Sequence, residues 1–250
     1  MGDALLASVR RAIAAAAGGR DPKPDRKFHK EDAYIAYGLY TPVWRGIMRE
    51  FRPRFLALPP ERRLDLAAAL LAEHIGELGH TGIHLLALSA KALGPLHFES
   101  LDRLLDDFRS WSHVDAFCID VLQPVLMSHP QETLRLLERW NRSPNRWKRR
   151  ASVVTFVRKV GESGAFTDEV LRLCDNLIGD ADDLVQKGVG WALKDNLRSA
   201  PDRVIAYVKE LRRKGVPATI TLYAIRDLKG DQRAEVLAVQ RSRVGPRAAT

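Results

Sequence analysis

The feature that most constrains this 250-residue chain is a succession of amphipathic helical stretches with almost nothing between them that could form a sheet. No segment alternates Val, Ile, Thr or Tyr with polar residues between Asn-Gly or Asp-Gly turns, so a hairpin has no signal. Prolines fall instead where the first turn of a helix tolerates a missing N–H: Thr41-Pro42, Pro59-Pro60, His129-Pro130, Ser143-Pro144, Ala200-Pro201 and Val216-Pro217. The apolar spacing predicts helices over 60–76, 98–108, 112–127, 130–141, 144–160, 167–178, 183–198 and 201–214. Starts near 112, 144 and 183 lie about 35 residues apart, the period of stacked helix pairs in which no single pair can bury its own apolar face. The expected fold is all-α, an α-solenoid, with a compact helical bundle as the alternative. Residues 1–30 are expected to hold an N-terminal helix and a charged linker over 18–30, residues 31–239 the repeat domain, and residues 240–250 a disordered tail.

Forty Lys and Arg against 31 Asp and Glu give a net charge of +9, which points towards a polyanionic partner. Cys118 and Cys174 are lone thiols outside any CxxC, so the sequence indicates a reducing, cytoplasmic setting and no disulfide or zinc framework. No apolar run reaches the roughly 18 residues of a membrane span. The stretch Ala4–Val9 is interrupted by Arg10 and Arg11, too early for a signal peptide. Glu77, His80 and His84 share one helical face, but no HExxH and no further ligand accompany them, so neither a metal nor another cofactor is expected. Gly76, Gly79 and Gly82 follow no strand and precede no Lys-Ser/Thr, which excludes a phosphate loop, and GxSxG is missing.

Three helical faces invite a functional reading. On 183–198, Val185, Val189, Ala192, Leu193 and Leu197 form the core arc, while Lys187, Trp191, Lys194 and Arg198 gather on the opposite one. A Trp among cations suits either cation–π stacking on a solvated face or a surface where cations take phosphates and the ring meets a sugar or base. From Arg139 to Lys159 the chain carries eight Lys or Arg and no acid: Arg139, Arg142, Arg146, Lys148, Arg149, Arg150, Arg158 and Lys159. With Ser143 as N-cap and Pro144 at the first helical position, this run crosses a helix N-terminus, where cations are disfavoured and a bound phosphate would be welcome. The alternative is a solvated charge run. Trp147 falls with Ala151 and Val154 on the apolar stripe and reads as core; Arg150 lies close to the same stripe. Finally, Trp111 and Asp115, four residues apart, project from one face. Asp115 is open to two readings, a functional carboxylate or the acid of a Ser112-x-x-Asp115 capping box. His113 points away from that pair.

Three passages in this order and spacing resemble the DNA alkylation repair family of HEAT-like repeat glycosylases: Ser110-Trp111-Ser112-His113-Val114-Asp115, Ser143-Pro144-Asn145-Arg146-Trp147-Lys148-Arg149-Arg150, and Gln186-Lys187-Gly188-Val189-Gly190-Trp191-Ala192-Leu193. Gly38–Arg45 resembles the family's N-terminal signature in weaker form. The resemblance, over roughly residues 34–230, implies HEAT-like repeats with a concave basic face and hydrolysis of the N-glycosidic bond of cationic alkylated purines in duplex DNA. It implies catalytic roles for Asp115, Trp111 and Trp191, and a supporting arginine at Arg149 or Arg150, with Arg150 favoured. The cations expected on DNA are Arg149, Arg150, Lys148, Arg146, Lys187, Lys194 and Arg198. A monomer acting on double-stranded DNA, without cofactor or membrane, is expected. The competing reading is a non-catalytic helical-repeat scaffold for DNA or an acidic protein partner. Ser112 stands where the family often has Asp, and Gln186 where Arg is common.

Overall fold

The computed structural model describes residues 2–26, 29 and 33–240. It is all-α with helical repeats, and the chain divides into two compact units, residues 1–134 and 135–250. The tail expected after Gln240 lies outside the described residues. Among these, no helix is long and apolar enough to cross a membrane.

The first unit contains α1 (Gly2–Ala16), α2 (Thr41–Leu56), α3 (Pro60–Leu71), α4 (Gly76–Ala87), α5 (Phe98–Leu104), α6 (Trp111–Phe117) and α7 (Gln123–Ser128). A π-helical turn, Cys118–Leu122, joins α6 to α7. Helix α4 is the packing centre and lies against α3 and α6. Its glycines explain the close approach. A Cβ on Gly79 would stand 2.6 Å from Cε1 of the buried His113 ring, so only a hydrogen fits there. The segment read as a charged linker is not one throughout. Lys23–Pro24 (β1) pairs antiparallel with Ile35–Ala36 (β2), with Lys23 opposite Ala36, and His29 is buried. Two-residue strands carry too little alternation to show in a sequence.

Helix α8 (Pro130–Asn141) contains the boundary between the units. The second unit continues with α9 (Arg146–Val154), α10 (Lys159–Ser163), α11 (Thr167–Asp175), α12 (Asp183–Asn196), α13 (Pro201–Arg213), α14 (Ala218–Ala224) and α15 (Gly230–Ala238). Helix α12 is its centre and packs against α9, α10, α11 and α14. Trp147 is buried, as its place on the stripe of α9 predicts. The helix expected over 144–160 differs in two ways. Asn145, not Ser143, is the N-cap, its side chain accepting the Trp147 N–H at 2.8 Å. The helix then breaks before Arg158, whose φ of +53° places a non-glycine residue in the left-handed region, at a cost of about 1–3 kcal/mol. The Asp195 carboxylate holds that turn by accepting the Arg158 N–H at 2.5 Å.

Gly79→Ala is expected to lower stability by about 1–3 kcal/mol, because the new methyl must displace a fully packed imidazole. Chemical denaturation of the variant checks this, and wild-type stability would contradict the packing described.

Candidate functional site

In the first unit the site begins with the cap of α6. Ser110 Oγ accepts the N–H groups of Ser112 and His113 at 3.1 and 3.4 Å, so Ser110 is the N-cap and Trp111 the first helical residue. The N-cap expected at Ser112 thus lies at Ser110, and Asp115 is the fifth residue of the helix and not its third. Trp111 and Asp115 share a face one turn apart and are both half-buried, whereas Val114, Phe117 and Cys118 turn inward and are buried.

Beside this face lies a cluster that sequence reasoning missed. The His29 ring is 5.5 Å from that of Trp111 and 3.6 Å from that of Tyr34. His29 Nδ1 bonds Asp25 Oδ2, and its Nε2 bonds Ser112 Oγ, both at 3.0 Å. His80 Nε2 reaches the same hydroxyl at 3.2 Å, and the His80 and His113 rings meet edge to face at 4.6 Å. Burial, reinforced by the neighbouring imidazoles, pushes the His80 pKa well below its ordinary value. Burial also brings that of His113 down to about 4, although its bond to the Gly76 carbonyl acts in the opposite direction. Glu77 and His80, set aside as metal ligands, have other work. The Glu77 carboxylate accepts the N–H groups of Tyr37 and Leu39 at 3.0 and 2.9 Å and so orders the chain entering α2. The sequence signal was available only in part: His29, Tyr34, Trp44 and His80 are all present, but no local spacing links them.

In the second unit, the four cations on α9 itself are buried or half-buried. Arg149 pairs with Asp180 through Nε at 2.6 Å and Nη2 at 3.3 Å, and its Nη1 donates to the Ser143 and Pro144 carbonyls. Arg146 pairs with Asp182 at 3.2 Å and stacks over Trp147. The anion that this helix start accommodates is thus supplied by the chain itself, from the acidic loop before α12. Lys148 and Arg150 are buried, and Arg150 donates to the Leu184 carbonyl, so it fixes α12 to α9. Asp182 caps α12 by accepting the Leu184 and Val185 N–H groups.

On α12 the core arc is as expected, with Val185, Val189, Ala192, Leu193 and Leu197 buried. Lys194 corrects the reading of the opposite arc. It is only 7% exposed and pairs with Asp195 at 2.5 Å and Asp227 at 3.1 Å. Burial favours its neutral form, but the two carboxylates outweigh this and hold its pKa above the ordinary value. Lys187 and Arg198 are exposed and paired with Asp183 and Glu162. Trp191 is half-buried, and the Arg158 guanidinium lies over its ring at 5.9 Å. Arg142, Arg158 and Lys159 are exposed, and no ion pair holds them among the described residues.

An all-α helical-repeat protein with an aromatic–carboxylate face and unpaired exposed cations is the class that this fold and these residues define. The family model described as DNA alkylation repair enzyme matches residues 9–228, and the chain belongs to that family. Its membership makes it an enzyme of DNA repair with DNA as substrate. Among solved structures, a predicted DNA alkylation repair enzyme from Enterococcus faecalis is similar in fold, with a TM-score of 0.70 at 14% identity, covering 88% of this chain and 95% of the other. Comparison with curated proteins gives no match.

Two outcomes follow from these environments. His80 and His113 titrate below 6.5 when folded and near it when unfolded, so under acid conditions the unfolded chain binds more protons. Melting temperature is expected to fall as pH drops from 6.5 towards about 4, with a shallower slope in His113→Gln. A melting temperature flat across that window would contradict the neutral imidazoles. Lys194→Met should cost about 3–5 kcal/mol by leaving Asp195 buried without its cation, and leave the salt dependence of DNA binding unchanged. A reduced salt slope at wild-type stability would return Lys194 to the DNA-facing surface.

Proposed function

We propose that the protein hydrolyses the N-glycosidic bond of cationic alkylated purines, of the 3-methyladenine and 7-methylguanine type, in duplex DNA. The observation that carries this reading is the face that Trp111 and Asp115 share, one turn apart and both half-buried, on a helix whose N-cap is Ser110. Alkylation makes the base a positively charged leaving group, so its departure needs no general acid. The demand falls on the sugar, which becomes oxocarbenium-like. A carboxylate held away from bulk water stabilises that charge by Coulomb attraction and positions the attacking water, and this is the role of Asp115. Trp111 adds a π face, which attracts a cation as an aliphatic side chain does not.

The second unit holds the nucleic acid. Arg142, Arg158 and Lys159 meet phosphates, and Trp191, with the Arg158 guanidinium beside it, offers its ring to the sugar or base. Arg150 acts as a positioning residue: through the Leu184 carbonyl it fixes the start of α12, the helix that bears Trp191. Backbone-directed grip of this kind supports turnover of bulky as well as small adducts, since phosphate contacts carry no information about the lesion.

Asp115→Asn is expected to lower single-turnover release of 7-methylguanine from methylated duplex by roughly 10²–10³, with melting temperature and DNA affinity nearly unchanged. Release within tenfold of wild type would remove Asp115 from the chemistry, and a wild type without release would favour the scaffold reading. Arg142→Ala combined with Lys159→Ala should weaken binding to damaged and undamaged duplex alike, and lower the salt slope by about 2. An unchanged slope in a filter-binding titration would relocate the DNA-facing surface.

A further inference from the structure

Within the second unit, Arg158 stands in a conformation that a side chain seldom takes. Its φ of +53° and ψ of −133° are those of glycine in a tight turn, and a Cβ there is strained. A glycine would relieve the strain, yet the position carries an exposed arginine. The turn is clamped from α12. Asp195, 2% exposed, accepts the Arg158 N–H through Oδ2 and the Lys194 ammonium through Oδ1, both at 2.5 Å, so each carboxylate oxygen is committed. A Cβ on Gly161 would stand 2.5 Å from the Phe156 carbonyl oxygen and 3.1 Å from Asp195 Cβ, so the chain beyond the turn lies directly on α12. Strain of this kind persists only where the surroundings over-determine it, and it gathers at functional sites.

The strained backbone aims the side chain. The Arg158 guanidinium lies 5.9 Å from the Trp191 ring centroid, at the outer limit of a cation–π contact, so the ring is engaged without being covered. Trp191 is half-buried, and from Gly188 to Leu197 every other residue of α12 and its C-cap is buried. No ion pair neutralises the guanidinium among the described residues, and Glu162 of α10 is taken by Arg198 at 2.7 Å. Arg146 over Trp147 is the contrast: there the guanidinium pairs with Asp182 and the indole is buried. Arg158 therefore brings a planar fork of N–H donors to the edge of an accessible aromatic ring.

We propose that Arg158 and Trp191 form a single DNA contact, the guanidinium on a phosphate and the indole on the deoxyribose bonded to it, and that Asp195 is the positioning residue of that contact. A phosphate and its own sugar are joined by one ester linkage, so a cation and a ring 5.9 Å apart can hold both. A free-standing surface cation grips phosphate anywhere along the backbone. A cation fixed beside a ring admits one orientation of one nucleotide, and orientation is what a reacting sugar requires. The guanidinium suits this, because its fork takes two phosphate oxygens at once. The inference rests on the reading of Trp191 as a DNA-facing ring. It goes beyond that reading by giving a buried carboxylate and a strained turn a part in the reaction.

The test is a pair of double-variant cycles in the full chain, read as affinity for undamaged duplex and as single-turnover release of 7-methylguanine, with thermal melts of every variant. Arg158→Ala and Trp191→Ala are each expected to weaken binding about tenfold, and the combined variant by no more than about threefold further, because either loss dismantles the same contact. A combined loss near the product, about a hundredfold, overturns the shared contact. Asp195→Asn should lower binding and release about tenfold in the otherwise native chain, and by less than about twofold in an Arg158→Gly background, where no guanidinium remains to be aimed. The same factor in both backgrounds is what a purely structural Asp195 gives, and it removes the positioning role. Should Asp195→Asn not fold, two variants of Arg158 decide instead. With the turn held strained by Asp195, Arg158→Gly melts above Arg158→Ala, and equal or lower melting removes the clamp. A wild type that releases no base removes the glycosylase reading and leaves the contact to be judged on affinity, whereas release with independent effects removes the contact and leaves that reading.

Discussion

The second unit depends on one helix buried on almost every side. From Gly188 to Leu197, α12 exposes only part of Trp191, and its buried surface includes Lys194, Asp195 and Asn196. A helix can be enclosed in this way only if each polar side chain finds a partner, because an unpaired one would cost several kcal/mol. Each does. Lys194 bridges Asp195 and Asp227, Asp195 also accepts the Arg158 N–H, and Asn196 donates to the Phe156 and Ala192 carbonyls. A Cβ on Gly188 would stand 3.2 Å from Val154 Cγ2, so the glycine lets α12 close on α9. The break after α9, the left-handed Arg158 and the placement of its guanidinium beside Trp191 all follow from Asp195 being where it is.

The first unit solves a related problem with imidazoles. Helix α4 lies against α3 and α6, and the buried His113 ring, with the half-buried His80 edge to face against it, takes a place where an aliphatic core might be expected. They can do so because burial keeps them neutral, and a neutral imidazole behaves as a flat, weakly polar ring. His113 donates to the Gly76 carbonyl and leaves Nδ1 without a partner among the described residues. The cost is sensitivity to acid, and the gain is a set of rings beside the Trp111 face.

Charge excess along the chain is an imperfect guide to which cations meet solvent. The run from Arg139 to Lys159 is without acids along the chain, yet in space Asp180 and Asp182 stand against Arg149 and Arg146. These pairs close the start of α9 against the loop before α12, a tertiary contact spanning 31 and 36 residues of sequence. The exposed cations of the run lie at its ends, at Arg139, Arg142, Arg158 and Lys159. A linear count of Lys and Arg cannot separate cations that meet solvent from cations that meet carboxylates arriving from elsewhere.

By itself the sequence determined what depends on local spacing: that the chain is helical, that Pro42, Pro60, Pro130 and Pro201 open helices, that Trp147 is core, and that Trp111 and Asp115 share a face. Those properties follow from a 3.6-residue period and a missing proline N–H, which act within a turn or two. Only the tertiary structure decided which residue caps α6, that Lys194 is inside, that Arg149 is committed to Asp180, and that Asp25, His29, Trp44 and His80 surround one cavity. In each case the deciding partner is distant in sequence or one of several polar neighbours competing for the same N–H. A helical projection assigns one face to solvent, and it fails wherever a second layer of helices covers that face, as it does along α12.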